Sequence, residues 1–162
     1  MPQPFVPILM GSDSDLDYST KISKALEKWG IGYKHRVGSA HRHPEYVLGI
    51  IEEYDKNSGL SVVYITVAGR SDALTGFVAG NTINPVIGCP PYSERYAGLP
   101  VLSTIYLPSR TPAMFVQDPE NASLAAVKIF AMNDEKLRHG LQQFLKETRE
   151  GVEAADKKIR GQ

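Results

Sequence analysis

Between Val37 and Glu45 the chain reads V-G-S-A-H-R-H-P-E, which places a serine, two histidines and an arginine within a few residues of one another. The chemistry on offer is specific. A histidine titrates at about 6.5 and moves protons near neutral pH. An arginine fork matches a phosphate or a carboxylate. Ser39 adds a hydroxyl, His41 and His43 are the two proton carriers, and Arg42 is the fixed cation. For such a loop alone the plainer account is a polar surface loop with a helix cap, so the question is what else the chain brings to it.

Two further stretches carry comparable chemistry. G-S-D-S-D at residues 11 to 15 follows an apolar run, and serine hydroxyls with backbone amides at a helix start can hold an oxyanion. Asp15 in this stretch could accept hydrogen bonds from sugar hydroxyls, although N-capping and helix-dipole compensation account equally well for its serines and aspartates. A-G-R-S-D-A-L-T-G at residues 68 to 76 contains glycine, which lets a backbone approach a planar ligand closely. It lacks the G-x-G-x-x-G spacing of a dinucleotide loop, and the chain has no Walker A sequence.

Other reactive types read as structural. No Cys, His and carboxylate set has metal-ligand spacing, so no metal is expected. Cys89 stands before two prolines without a basic partner in sequence and is expected to be a small buried side chain. His43, just before Pro44, is expected to cap a helix or lie on the surface, while His35 and His139 have no partner in the pattern. Arg70 and Arg110 are possible anion contacts, with surface ion pairs the plainer account.

The elements that position these residues follow from periodicity. Phe5 to Met10, Ile31 to Val37, Ser61 to Val67, Pro85 to Gly88 and Val101 to Leu107 read as strands, the third being the clearest because it is β-branched and nearly continuous. Between them lie helical patterns. Ile22, Ala25, Leu26 and Trp29 share one face, capped by Ser14 or Asp13 and stopped at Gly30; Val47, Ile50, Ile51 and Tyr54 share another, opened by Pro44. Leu74, Phe77 and Val78 suggest a short helix, and Asp118-Pro119-Glu120 opens a buried one running to Met132. Asp134 to Lys158 forms a long amphipathic helix, expected either to cover its own core or to contact another subunit.

Alternating strands and helices predict a three-layer α/β/α, flavodoxin-like doubly wound parallel sheet of about five strands, in the default order 2-1-3-4-5. Ligands bind such sheets at the carboxyl ends of the strands. That edge gathers Ser12, Asp15, Ser39, His41, Arg42, Gly69 and Ser71, together with the C-P-P-Y-S and P-S-R-T-P loops.

Composition narrows the class. The length suits one domain spanning residues 1–162, with a core at 5–132. Lys+Arg and Asp+Glu are 18 each, and no basic tract points to nucleic acid, so an anionic ligand should be small and locally held. A single cysteine suits a reducing compartment. No apolar run approaches the ~20 residues of a membrane span, and the N-terminus does not read as a signal peptide. A cytoplasmic protein is expected.

M-G-S-D-S-D, S-A-H-R and A-G-R-S-D-A-L, in this order at these strand ends, resemble the aminoimidazole ribonucleotide (AIR) carboxylase family of purine biosynthesis. I-G-C-P-P, L-P-S and P-E-N-A-S extend the resemblance over nearly the whole chain. The family has two branches: a mutase that moves carboxylate from N5-carboxyaminoimidazole ribonucleotide to ring carbon 4, and a carboxylase that adds CO2 to AIR directly. Neither ATP, biotin nor metal serves the direct reaction, so no cofactor is expected.

The mutase branch carries A-G-G-A-A-H-L-P-G after its third strand, and here Ala73 stands at the histidine position. G-R-S-D followed by C-P-P is similar to the carboxylase branch, although Arg42 stands where that branch more often has lysine. The resemblance implies that Ser12, Ser14 and Arg42 hold the 5′-phosphate and that Asp15 binds the ribose. It further implies that Ser39, Gly69 and Ser71 border the imidazole and CO2, with His41 carrying the carbon 4 proton. It also implies a homo-oligomer, tetramer or octamer, with the C-terminal helix packed on another subunit. The competing readings are the mutase, a phosphorylatable receiver domain and a flavin-binding electron carrier. The receiver needs an aspartate where Ala68-Gly69 stands, and the flavin carrier a hydroxyl-rich phosphate loop in place of G-S-D-S-D.

Overall fold

The computed structural model describes residues 2–161. The chain runs β1 (Gln3–Met10), α1 (Leu16–Glu27), β2 (Gly32–Val37), α2 (Pro44–Asp55), β3 (Leu60–Val62), β4 (Tyr64–Val67), α3 (Ala73–Asn81), β5 (Val86–Gly88), α4 (Leu102–Ile105), β6 (Met114–Phe115), α5 (Pro119–Phe130) and α6 (Glu135–Arg160). Short 3-10 turns cover Asp13–Asp15, Glu94–Tyr96 and Leu99–Val101.

Every strand pairing is parallel, and the order is β2-β1-β4-β5-β6 with β3 also on β1. Gln3 pairs with Leu60 and Ile8 with Ile65, the same offset, so β3 and β4 are one strand interrupted at Val63. Counted so, the order is the expected 2-1-3-4-5. The sheet is covered on both faces. Ile8, Met10, Ile65, Val67 and Ile87 pack under α1, α5 and the start of α6, while Leu9, Val62, Tyr64 and Val86 pack under α2 and α3. A central parallel strand buried on both faces has no polar alternation, which is what Tyr64–Val67 shows.

Two expectations about local structure are corrected. Val101 to Leu107 is not a strand: it forms a 3-10 turn and α4, and the last strand is Met114–Phe115. Ser103 Oγ accepts from Asp72 N at 2.8 Å while the adjacent Thr104 Oγ1 donates to Asp72 Oδ2 at 2.7 Å. Successive side chains in a strand point to opposite faces, so only a helical turn lets neighbours serve one partner. The apolar residues that suggested a strand stay on the surface, Leu102, Ile105 and Tyr106 among them. The cap before α1 is neither Ser14 nor Asp13; Ser12 caps the Asp13–Asp15 turn in a reciprocal box with Asp15.

Gly30 stops α1 in the left-handed region at φ 67°, and Pro44 and Asp118 open α2 and α5 as expected. In α6 only Leu137 and Leu141 are buried, with Phe144 edge-on to Trp29. Val152 and Ile159 are exposed.

Candidate active site at the carboxyl edge of the sheet

The loops after β2, β1, β4 and β5 lie side by side in that order because the strands do. Together they enclose a cleft of about 600 Å³, within the ~300–1,000 Å³ of small-molecule sites. Ser12, Ser14, Asp15, Ser39, His41, Arg42, Gly69 and Ser71 all line it.

The β1 loop is tied to the sheet where Gly11 N donates to Val67 O at 2.8 Å. Beyond it, Ser14 Oγ donates to Ser12 Oγ at 3.1 Å, and Ser12 N donates to Asp15 Oδ2 at 3.2 Å. This network holds two hydroxyls and one carboxylate at the start of α1. Burial raises the Asp15 pKa above the usual aspartate value, against the Ser12 N–H bond that lowers it, while Asp13 and Asp72 push it further up.

The β2 loop is a tight turn. Arg42 N and His43 N both donate to Ser39 O, at 3.2 and 2.8 Å, which leaves His41 exposed within the turn. Arg42 Nε donates to Ser39 Oγ at 3.3 Å, so the guanidinium is drawn back toward the cleft. Gly38 lets this loop cross α2, since a Cβ there would lie 2.9 Å from Val47 Cγ2.

At the third loop, a Cβ on Gly69 would sit 3.1 Å from Pro91 Cγ and 3.6 Å from Asp15 Oδ1, so glycine keeps the floor open between them. Asp72, 1% exposed, turns away as the cap of α3. It accepts from Thr75 N at 2.9 Å, Thr75 Oγ1 at 2.5 Å and Thr104 Oγ1 at 2.7 Å. Ala73, expected across the crevice from His41, opens α3 and does not line the cleft; Leu74 does.

Ser93 belongs to the C-P-P-Y-S loop expected at this edge, while Arg70, read only as a possible anion contact, and Arg95 and Tyr96, not singled out from the sequence, also line the cleft. The signal was present, because a loop that follows a parallel strand shares this edge, but Arg95 and Tyr96 lie past the C-P-P-Y-S motif. P-S-R-T-P does not join them. With Val101–Leu107 outside the sheet, that segment leads into β6 rather than out of a strand, and Arg110 lies elsewhere.

His43 occupies the N-cap of α2 without a side-chain cap bond, exposed and 3.6 Å from Glu45. Cys89 is buried as expected, and burial pushes its thiol up to about 12. Beside it Tyr18 Oη donates to Gln117 O, the same carbonyl that Cys89 Sγ reaches at 3.4 Å. Among the described residues no three His, Cys, Asp or Glu side chains gather as a metal-ligand set.

The family model described as AIR carboxylase matches residues 5–151. The chain belongs to the AIR carboxylase family. It is 49% identical over 153 residues to the phosphoribosylaminoimidazole carboxylase of Archaeoglobus fulgidus, covering 94% of this chain and 83% of that one. It is 38% identical to the bifunctional phosphoribosylaminoimidazole carboxylase/phosphoribosylaminoimidazole succinocarboxamide synthetase of Mus musculus, spanning 36% of that longer chain and 96% of this one. The crystal structure of Treponema denticola PurE superposes with a TM-score of 0.92 at 37% identity, covering 96% of this chain and 98% of that one. The chain is therefore an enzyme of the AIR carboxylase family, with a flavodoxin-like fold.

Proposed function

We propose that the enzyme adds CO2 directly to carbon 4 of AIR to give 4-carboxy-5-aminoimidazole ribonucleotide in purine biosynthesis. One observation carries this choice over the mutase: where the mutase branch has a second histidine this chain has Ala73, which offers no proton-transfer group, and the adjacent Asp72 is consumed as a buried cap. Among the described residues His41 is then the one imidazole lining the cleft.

Ser12, Ser14 and Arg42 hold the 5′-phosphate, with the amides at the start of α1 adding to the attraction. Asp15 accepts from the ribose hydroxyls. Ser39, Gly69 and Ser71 border the imidazole and CO2. AIR is enamine-like, so carbon 4 attacks CO2 and a carbon–carbon bond forms as one C–O π pair moves onto oxygen. His41 then takes the carbon 4 proton, and the C–H pair returns to the ring to restore aromaticity. Positioning within the cleft supplies the rest. The partners are AIR, CO2 and further copies of this chain, in a tetramer or octamer that covers α6; the setting is cytoplasmic.

The deciding experiment supplies purified enzyme with AIR and bicarbonate, and separately with N5-carboxyaminoimidazole ribonucleotide, and follows the carbon 4 carboxylate. Turnover of AIR is expected. Turnover confined to the N5-carboxy compound would make the enzyme a mutase.

A further inference from the structure

The cleft has more cation than one phosphate requires. Arg42, Arg70 and Arg95 line it against a single acid, Asp15, in a chain whose formal net charge is zero. Arg36 and Arg138 pair with Glu53 and Glu135, whereas none of the three cleft arginines makes an ion pair with a described residue. Strand order separates them. Arg42 follows β2, Arg70 follows β4 and Arg95 follows β5, and β2 and β5 are three strand spacings apart, ~14 Å. A phosphate seated at Ser12, Ser14 and Arg42 leaves the β4–β5 end of the cleft to a different anionic group.

Arg95 is built to be presented there. The turn that carries it is closed by Tyr96 N donating to Ser93 O at 3.2 Å and Ala97 N donating to Glu94 O at 3.0 Å, and it ends in left-handed Ala97 at φ 48°. The Arg95 guanidinium lies over the Tyr96 ring, 5.5 Å from its centre, a contact that restrains the fork without consuming its donors. The neighbouring Glu94 does not line the cleft; it lines an adjoining hollow that Arg70 and Arg95 also border, and it makes no ion pair of 4 Å or less with either.

We infer that Arg95, with Arg70 beside it, forms a second anion subsite that binds the carboxylate the reaction places on the imidazole. This rests on the carboxylation reading above. A guanidinium fork takes a carboxylate through two parallel hydrogen bonds, so the subsite discriminates the carboxylated nucleotide from the uncarboxylated one.

The test is calorimetric titration of the intact enzyme, wild type, Arg95→Ala and Arg95→Lys, with AIR and with 4-carboxy-5-aminoimidazole ribonucleotide at two salt concentrations. Arg95→Ala should weaken the carboxylated nucleotide by about 10-fold or more and AIR by less than about 2-fold, with partial recovery in Arg95→Lys. Equal weakening of both nucleotides, with a shallower salt dependence, would mean that Arg95 steers or holds the phosphate and would overturn the subsite. No change in either would also overturn it. A wild-type enzyme that bound neither nucleotide would instead bring down the carboxylation reading itself, and the subsite with it.

Discussion

His41, Arg42 and Asp15 line one cleft, yet their local settings assign them different consequences when changed. His41 is exposed in a turn held by backbone bonds to Ser39 O, so the fold does not depend on its ring. His41→Asn should lower kcat by about 10²–10⁴-fold and move the thermal midpoint by no more than about 2 °C, with AIR binding kept in equilibrium titration. Arg42→Ala should act chiefly on KM, because phosphate attraction is shared by ground and transition states; steady-state kinetics showing a loss in kcat alone would contradict that. Asp15 is a cleft residue held at a cost to stability. Its pKa is raised in the folded state, so on raising the pH the unfolded chain releases this proton first. Stability therefore falls as pH rises from the ordinary aspartate value of 3.8 through the raised one, and stays lower above it. Asp15→Asn should unfold at equal or higher urea than wild type at neutral pH and lose that advantage on acidification below 3.8, while binding AIR more weakly.

At the scale of elements, the part that ties the rim together is Asp72. Its carboxylate joins the start of α3 to α4 through three hydrogen bonds, with its own N–H on Ser103. Asp72→Ala would strand Thr75 N–H and the Thr104 hydroxyl in a buried setting, while Thr75 Oγ1 keeps Thr66 Oγ1 at 2.6 Å, and should cost about 2–4 kcal/mol, read as a lower urea midpoint at unchanged slope. Asp72→Asn keeps an acceptor and should cost less. The same junction explains the misread segment. V-L-S-T-I-Y-L has the composition of a strand, but Asp72 draws Ser103 and Thr104 together, and that pair of contacts outweighs a weak β propensity. Nothing local in the segment announces a partner more than thirty residues away.

For the whole molecule, α6 is the part that the described chain does not account for. After two buried turns its remaining length lies on the surface, with Val152 68% and Ile159 87% exposed. An amphipathic helix with its apolar side uncovered is accounted for if another copy covers it. Wild type is expected to be a tetramer or octamer by light scattering. Val152→Glu with Ile159→Glu should reduce the assembly mass while leaving helix content unchanged. A monomeric wild type across the accessible concentration range would count against the assembly.

The sequence by itself determined the layers, the strand order and four of the loops that meet, although it set the last strand at Val101–Leu107 and P-S-R-T-P on an edge that it does not reach. Period-2 and period-3.6 patterns and the chirality of parallel crossovers leave few alternatives once the strands are placed. It also brought Ser39, His41 and Arg42 to one cleft, since they are neighbours in the chain and stay so in space. Tertiary structure decided what depends on partners far apart in sequence. Asp72 serves as the cap of α3 with Thr75 and Thr104 enclosing its carboxylate, and Ala73 opens α3 without lining the cleft. Arg95 entered the cleft because β5 lies beside β4, a neighbourhood set by the sheet rather than by any motif.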